Sequence, residues 1–122
     1  MSPSRFDLVT LDGDTAVLGR FWAAALGLVE LQREDVDRWI VLGDADGTRR
    51  IGLQHGRPVA GSIHLDIRCE VGAFAAEVQR LLALGAVLDR DVRHEPYGSI
   101  ANLSDPQGNR FDLCAYEPSP ES

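Results

Sequence analysis

Apolar side chains recur at helical spacing early in the chain, between Thr15 and Leu26. One stripe of this segment holds Val17, Leu18, Phe21, Trp22 and Ala25. Because this spacing fits the period of an α-helix, it predicts an amphipathic helix with one face in the core. Asp14 precedes the segment and can cap its free N–H groups, while Gly27 accepts the left-handed conformation that ends a helix.

A second stripe at the same spacing predicts a helix from about Ala73 to Leu84, ended by Gly85. Its apolar members are Phe74, Val78, Leu81 and Leu82. The chain also repeats itself here, because residues 67–89 align without a gap on residues 9–31 at a shift of 58 positions. Internal similarity of this kind predicts two structurally similar halves.

Short alternating stretches surround both helices and predict β-strands. The first half contains the stretches 6–11, 28–33, 38–42 and 49–55, and the second contains 62–69, 86–92, 99–103 and 110–116. Each half is then a βαβββ module, spanning about residues 5–56 and 62–117 of one domain. The predicted fold class is α+β: two tandem modules forming a curved, half-open, barrel-like mixed sheet with the helices outside.

Strand alternation also separates polar from apolar side chains. His64, Asp66 and Arg68 share one face of their stretch, and Asp112 occupies the corresponding face of the last stretch. The apolar faces must meet the helices to escape water, so the polar faces line something else.

In the first half, the same alternation places Asp7, Gln54 and Trp39 away from the helix. If the two polar faces curve together, Asp7, Gln54, His64 and Asp112 line one hollow. Trp39 offers an aromatic face for stacking, and Tyr97 lies in a loop that can overhang the hollow. The ligand-binding candidates are Trp39, Gln54, Arg68 and Tyr97.

Ordinary structural roles explain the same polar residues. His64 can bond to Asp66 or Asp112, and Asp112 can form a salt bridge with Arg68 or Arg110. However, carboxylates that share a hollow repel each other unless a cation or an arginine lies between them. Asp66 and Asp112 are therefore also candidates for a catalytic role.

Composition narrows the classes of partner. The net charge is −7, with arginine as the basic residue and no lysine, and the arginines are scattered. This balance argues against nucleic acid, which needs a basic stripe, and favours a cationic ligand over an anionic one. No stretch approaches the ~20 apolar residues of a membrane span, and the first residues lack the apolar run of a signal peptide. We expect a cytoplasmic protein whose Cys69 and Cys114 are reduced and bind no zinc.

Three segments in this order resemble the vicinal oxygen chelate superfamily, which contains glyoxalase I, extradiol dioxygenases and the bleomycin- and fosfomycin-resistance proteins. They are Arg20–Gly27 at a helix end, Ser62–Ile67 with its His-x-Asp pattern, and Asp105–Leu113 with a proline-glycine turn. The resemblance covers about Phe6 to Tyr116 and is strongest to short bacterial glyoxalase-like proteins. It implies a small-molecule ligand and a homodimer.

In metal-using members, the first and last strand of each module supply one ligand each. By position, the resemblance assigns these places to Asp7, Gln54 (or Gly52), His64 and Asp112. It implies one divalent ion, such as Mg, Mn, Fe, Ni or Zn, held by Asp7, His64 and Asp112. Only one of these residues is a histidine, which disfavours the two-histidine centre of an extradiol dioxygenase.

Three functions remain open from the sequence. The first is binding of a small organic molecule, with sequestration of an antibiotic as one form of it. The second is a metal-dependent lyase, isomerase or transferase of glyoxalase type, in which a carboxylate moves a proton. The third is a non-catalytic regulatory or accessory module.

Overall fold

The computed structural model describes residue 3 and residues 6–58, 64–96 and 98–116. The chain divides into two compact units, Met1–Pro58 and Val59–Ser122. Each unit holds one mixed sheet with one α-helix, as the two-module fold class predicts. That the two units form one domain, and that their sheets together make a half-open barrel, remain predictions.

The first unit follows the predicted order of strand, helix and three strands. Its elements are β1 (Val9–Gly13), α1 (Thr15–Leu26), β2 (Val29–Glu34), β3 (Trp39–Gly43) and β4 (Arg49–His55). The sheet order is β1-β4-β3-β2, with β1 parallel to β4 and the other pairs antiparallel. The bounds of α1 are those predicted, because Asp14 accepts hydrogen bonds from the first turn and Gly27 is left-handed at φ 67°.

The second unit repeats this order with two additions, a 3₁₀ turn before its helix and one more strand after it. Its elements are β5 (His64–Arg68), a 3₁₀ turn (Val71–Ala73), α2 (Phe74–Ala83), β6 (Val87–Leu88), β7 (Arg93–Glu95), β8 (Gly98–Ser104) and β9 (Arg110–Tyr116). The sheet order is β5-β9-β8-β6, with β5 parallel to β9, and β7 pairs separately with β8. Among the described residues, no helix is long and apolar enough to cross a membrane.

The apolar face of each sheet packs on its helix, as strand alternation predicts. In the first unit, α1 buries Leu18, Phe21 and Trp22 beside β3 and β4. In the second unit, Phe111 and Leu113 of β9 are 0% and 1% exposed and lie on the side of α2. Burial of about 25 cal/mol per Å² of apolar surface makes these faces the main source of stability.

The predicted first strand is wrong in its bounds and in its faces. The strand begins at Val9, and Phe6, placed inside it by the prediction, is 80% exposed. Val9 pairs with Ile51 and Leu11 pairs with Leu53, so Val9 and Leu11 face the helix. Apolar residues occur on both faces of this segment, Phe6 and Leu8 on one and Val9 and Leu11 on the other. Pairing with β4 turns the second face toward the helix.

The segment after α2 also differs from the prediction of one strand over 86–92. Only Val87 and Leu88 form β6, and a separate strand, β7, follows at Arg93–Glu95. Strand β7 lies at the edge of the sheet and is exposed at all three positions. It lacks the apolar alternation by which a half-buried strand is recognised.

The hairpin loop between β2 and β3 carries backbone strain. Asp35 and Val36 have positive φ angles of 50° and 64°, and Val36 is 83% exposed. A left-handed conformation costs an L-residue about 1–2 kcal/mol, and asparagine tolerates it better than a β-branched residue does. We expect Val36→Asn to raise the free energy of unfolding by about 1 kcal/mol in urea denaturation. Val87→Asn, at an exposed strand position, serves as the control, and an equal gain there would contradict the assignment of the strain to Val36.

Candidate functional site

Three potential metal ligands meet on the face of the second sheet that points away from α2. The His64 imidazole and the carboxylates of Asp66 and Asp112 each offer a ligand atom, and these atoms lie within 4.8 Å of one another. His64 Nε2 lies 3.5 Å from Asp66 Oδ1 and 3.7 Å from Asp112 Oδ2. We call this group the His-Asp-Asp cluster.

The ladder of the sheet produces this meeting. His64 and Asp66 are two residues apart on β5, so their side chains share a face. Asp66 is the register partner of Asp112 on β9. The parallel pairing therefore sets two carboxylates directly opposite each other, an arrangement that is unfavourable without a compensating positive charge.

A chain of polar contacts orients Asp112 within the cluster. Asn102 on β8 is its antiparallel partner, and Asn102 Nδ2 donates a 2.7 Å hydrogen bond to Asp112 Oδ1. Arg93 Nη2 on β7 in turn donates to Asn102 Oδ1 at 3.2 Å. These contacts hold one carboxylate oxygen, while Oδ2 lies on the side of His64. Outer contacts of this type commonly fix metal-binding carboxylates.

The donor set fits a divalent cation. One imidazole nitrogen and two carboxylates suit Mn²⁺, Fe²⁺, Ni²⁺ or Zn²⁺, and Mg²⁺ accepts the carboxylates. The side chains of His64 and Asp66 are 56% and 68% exposed, so a cation held here would keep positions open for water or a ligand. Asp112, at 25% exposed, is the most enclosed of the three.

A cleft of about 290 Å³ adjoins the cluster. It is lined by His64, Asp89, Arg90, Asn102, Leu103, Arg110 and Asp112, so six of its seven lining residues are polar. Asp89 accepts hydrogen bonds from the Ser104 hydroxyl at 2.8 and 3.0 Å. Arg110 is the register partner of both His64 and Ser104, and so it lies next to the cluster on the same face.

The first unit carries no such cluster at the equivalent positions among its described residues. The hairpins of the two units can be aligned at their turns. Leu42 lies two residues before Asp44 and pairs with Ile51. Leu103 lies two residues before Asp105 and pairs with Phe111. This alignment makes Leu8, Thr10 and Gly52 the counterparts of His64, Asp66 and Asp112, and makes Val41 the counterpart of Asn102.

The face formed by these counterparts carries no charged side chain, whereas the second unit has charged side chains at the same places. A Cβ built on Gly52 would contact the Trp39 ring and would lie 3.0 Å from Leu8 Cδ1, so the indole lies against the strand at this glycine. Trp39 is half-buried, and Gln54, its register partner, is exposed. Both residues thus lie away from α1, as strand alternation predicts.

Asp7 lies just before β1 and forms a salt bridge with Arg49. Arg49 Nε donates to Asp7 Oδ1 at 2.8 Å, and Arg49 Nη1 donates to Gln32 Oε1 at 2.8 Å. The shift of 58 positions that aligns the two halves sets His64 on Phe6, one residue before Asp7. The strand register instead makes Leu8 the counterpart of His64. A role of Asp7 in holding a metal ion stays a prediction.

The other predicted site residues divide between positions near and away from the cluster. Arg68 shares the exposed face of β5 with the cluster and pairs with Cys114, but it does not line the cleft. Tyr97 lies outside the described residues. Sequence reasoning missed Asn102, Asp89 and Arg90. The alternation of Asn102 with the buried Ala101 and Leu103 could have revealed Asn102.

Both cysteines are free thiols, as expected. Cys69 follows β5, and its backbone N–H donates to the Cys114 carbonyl at 3.1 Å. Burial raises the pKa of the Cys69 thiol, and the nearby acidic side chains of Glu77 and Glu70 act in the same direction. The thiol therefore stays protonated near neutral pH and is a poor nucleophile.

Comparison with solved structures defines the class of the fold. A glyoxalase/bleomycin resistance protein/dioxygenase family enzyme from Burkholderia phytofirmans superposes with a TM-score of 0.77 at 18% identity, covering 93% of this chain and 100% of that chain. A glyoxalase-related enzyme from Fulvimarina pelagi gives a TM-score of 0.71 at 21% identity, covering 92% and 88%. The two mixed sheets and their topology thus define a fold of the vicinal oxygen chelate type.

A mutant of the fosfomycin resistance protein FosX from Listeria monocytogenes has the same fold. Its structure contains Mn(II) and 1S,2S-dihydroxypropylphosphonic acid, and it superposes with a TM-score of 0.76 at 17% identity over 96% of this chain and 93% of that chain. No curated protein matches the sequence. The sequence model of the glyoxalase-like domain family matches residues 8–114, and the chain belongs to that family.

Proposed function

We propose that this protein binds a small polar organic molecule beside a divalent cation held by His64, Asp66 and Asp112. The observation that carries the proposal is the meeting of three ligand atoms within 4.8 Å at the mouth of a polar cleft. A resident cation would also relieve the repulsion between the paired carboxylates of Asp66 and Asp112.

The surroundings of the cluster support this role. Asn102 holds one oxygen of Asp112, and the exposed His64 and Asp66 leave room for a ligand. A divalent cation supplies Lewis acidity, which stabilises negative charge that develops on a bound oxygen. If the protein is an enzyme of glyoxalase type, Asp66 and Asp112 are our candidates for the group that moves a proton.

The similarity to FosX supports a metal-dependent function without identifying the ligand. The structure from Listeria monocytogenes contains Mn(II), and we therefore choose Mn²⁺ as the first probe. Binding or sequestration of an antibiotic stays a proposal, as do a homodimer and a cytoplasmic location. Light scattering after gel filtration would test the homodimer.

Removal of the imidazole tests the cation site directly. We expect untagged protein to bind about one Mn²⁺ per chain in calorimetry, and we expect His64→Ala to weaken this binding about a hundredfold. At a free Mn²⁺ concentration of 100 Kd, the folded protein would gain about 2.7 kcal/mol, so its Tm would rise by several degrees. The His64→Ala protein would lose most of this rise.

Two further variants sharpen the test. Asp66→Asn preserves size but removes one charge, and we expect it to weaken Mn²⁺ binding as well. His55→Ala removes an exposed histidine from the end of β4 and should leave Mn²⁺ binding unchanged. If His64→Ala and His55→Ala bind Mn²⁺ as the parent protein does, the cluster is not the cation site.

A second candidate function is binding of a flat organic molecule without a metal. The half-buried Trp39, which lies against Gly52 next to Leu8, supports it, because an aromatic face of this kind can stack on a planar ligand. Metal analysis separates the two candidates. Protein that binds no transition metal but gains thermal stability from a planar compound, and loses that gain in Trp39→Ala, would favour this second function.

A further inference from the structure

Most arginines of the described part of the chain are neutralised by a neighbouring acid or held by an amide. Five form salt bridges with a carboxylate: Arg33, Arg38, Arg49, Arg50 and Arg80. Arg93 donates to Asn102. In a chain of net charge −7, acidic side chains outnumber the arginines, so we expect guanidinium groups to be paired in this way.

Five other arginines have no such partner among the described residues, and two of them line the cleft; the five are Arg20, Arg57, Arg68, Arg90 and Arg110. Arg90 and Arg110 line the cleft and have no carboxylate partner within salt-bridge distance in the described residues. Asp89 and Asp112 line the same cleft. Asp89 is bonded by Ser104, and Asp112 is bonded by Asn102. The acids of the cleft are thus held by neutral groups, which leaves the guanidinium groups available to a ligand.

From this arrangement we propose that the ligand is a small organic anion, whose acidic group binds Arg110 and Arg90 while its other polar atoms lie at the cation. The inference rests on the proposed function, because the cation sets the local charge. The guanidinium groups offset Asp89 and Asp112, and a divalent cation outweighs the remaining charge of Asp66. The cleft would then be positive.

The charges that line the cleft act on a bound ligand more strongly than the net charge of the whole protein does. Charges more than about 8–10 Å away are largely screened at physiological ionic strength, so the remaining acidic residues act weakly on a ligand in the cleft. The net charge alone favours a cationic ligand, whereas the cleft with a cation bound favours an anion.

The geometry also limits the size of the anion. Arg110 and Asp112 are two residues apart on one face of β9, which separates their Cα atoms by about 6.6–6.8 Å. A cleft of about 290 Å³ lies at or below the lower end of the usual range for small-molecule sites. An acid of a few carbon atoms with a hydroxyl group near its anionic end fits this spacing, whether the acid is a carboxylate or a phosphonate.

Calorimetry with three probes tests the inference on Mn²⁺-loaded protein. L-lactate carries a carboxylate, hydroxymethylphosphonate carries a phosphonate, and propane-1,2-diol is the neutral counterpart. We expect at least one of the two anions to bind about tenfold more tightly than the diol, and the tighter one identifies the acid. Arg110→Gln should weaken anion binding about tenfold while Mn²⁺ affinity stays within about threefold.

Arg80→Gln is the matched control, because it makes the same charge change on α2 of the same unit. It should leave both Mn²⁺ and anion binding unchanged. Equal affinity for the diol and both anions would overturn the inference, and so would Arg110→Gln protein that binds anions as the parent does. Either result would leave the cation site intact, whereas failure of the parent protein to bind Mn²⁺ would overturn the proposed function and this inference together.

Discussion

Gly43→Ala is expected to lower the free energy of unfolding by about 3 kcal/mol, with a fall in Tm of roughly 10 °C. Gly43 ends β3 and is buried, and a Cβ built there would collide with the carbonyl oxygen of Thr48 and lie 2.5 Å from Leu31 Cδ1. The backbone cannot yield easily, because the same Thr48 oxygen accepts a 2.8 Å hydrogen bond from the Asp44 N–H.

Gly56→Ala provides the comparison within the same unit. A Cβ at Gly56 would meet nothing within 4 Å, so this variant should stay within about 0.5 kcal/mol of the parent. Urea denaturation followed by circular dichroism measures both variants. Equal stability of Gly43→Ala and the parent protein would show that the end of β3 does not approach Thr48 as described.

Asp105→Ala should cost a similar amount, about 3 kcal/mol, for a different reason. Asp105 is 2% exposed, and its carboxylate accepts hydrogen bonds from the backbone N–H groups of Gln107 and Asn109, both at 2.9 Å, and from Asn109 Nδ2 at 3.0 Å. Alanine would leave these donors without their acceptor inside the turn, and a buried donor without a partner costs about 1–3 kcal/mol.

Asp105→Asn separates the loss of acceptors from the loss of charge. Its amide oxygen can still accept from the two backbone N–H groups, while its amide nitrogen would face the Asn109 amide nitrogen. We expect it to lose about 1–2 kcal/mol, less than the alanine variant. If urea denaturation gave Asp105→Ala the stability of the parent, the hydrogen bonds of this turn would not contribute to folding.

The sequence predicts an element well where local chemistry marks both of its ends. The bounds of α1 follow from Asp14 and Gly27, which cap it through their own side-chain chemistry and backbone freedom. The bounds of β9 follow from the turn after Asp105, where Pro106 and the positive φ of Gly108 set the start of the strand. The limits of α1 and the start of β9 thus need no distant contact, whereas β9 ends at Tyr116, where it pairs with Gly98 of β8.

Prediction fails where long-range pairing decides between local alternatives. The segment from Phe6 to Leu11 has two equally apolar alternating sets, and only the pairing of Val9 with Ile51 selects one. Strand β7 is polar at all positions and exists because Arg93, His94 and Glu95 pair with the edge of β8. The energy of such pairing depends on a distant strand, so it cannot be predicted from the residues of one segment alone.

The candidate site was predictable to the extent that it depends on alternation. Alternation places His64, Asp66 and Asp112 on faces away from the helix, and the structure brings these three together. The structural place of Asp7 was not predictable, because a shift of one residue in β1 moves every side chain to the other face. Arg110 was considered only as a salt-bridge partner of Asp112, whereas Asp112 accepts its hydrogen bond from Asn102.

The contrast between Gly52 and Asp112 has a consequence for the history of the chain. If an ancestral half was duplicated, the two copies have since specialised, one retaining charged groups at these places and the other hydrocarbon and indole. The copies are then no longer interchangeable, and a chimeric chain with two second halves would carry the His-Asp-Asp cluster twice, where the described residues of the natural chain hold it once. Under the proposed function, this chimera would bind two cations per polypeptide and the natural chain one.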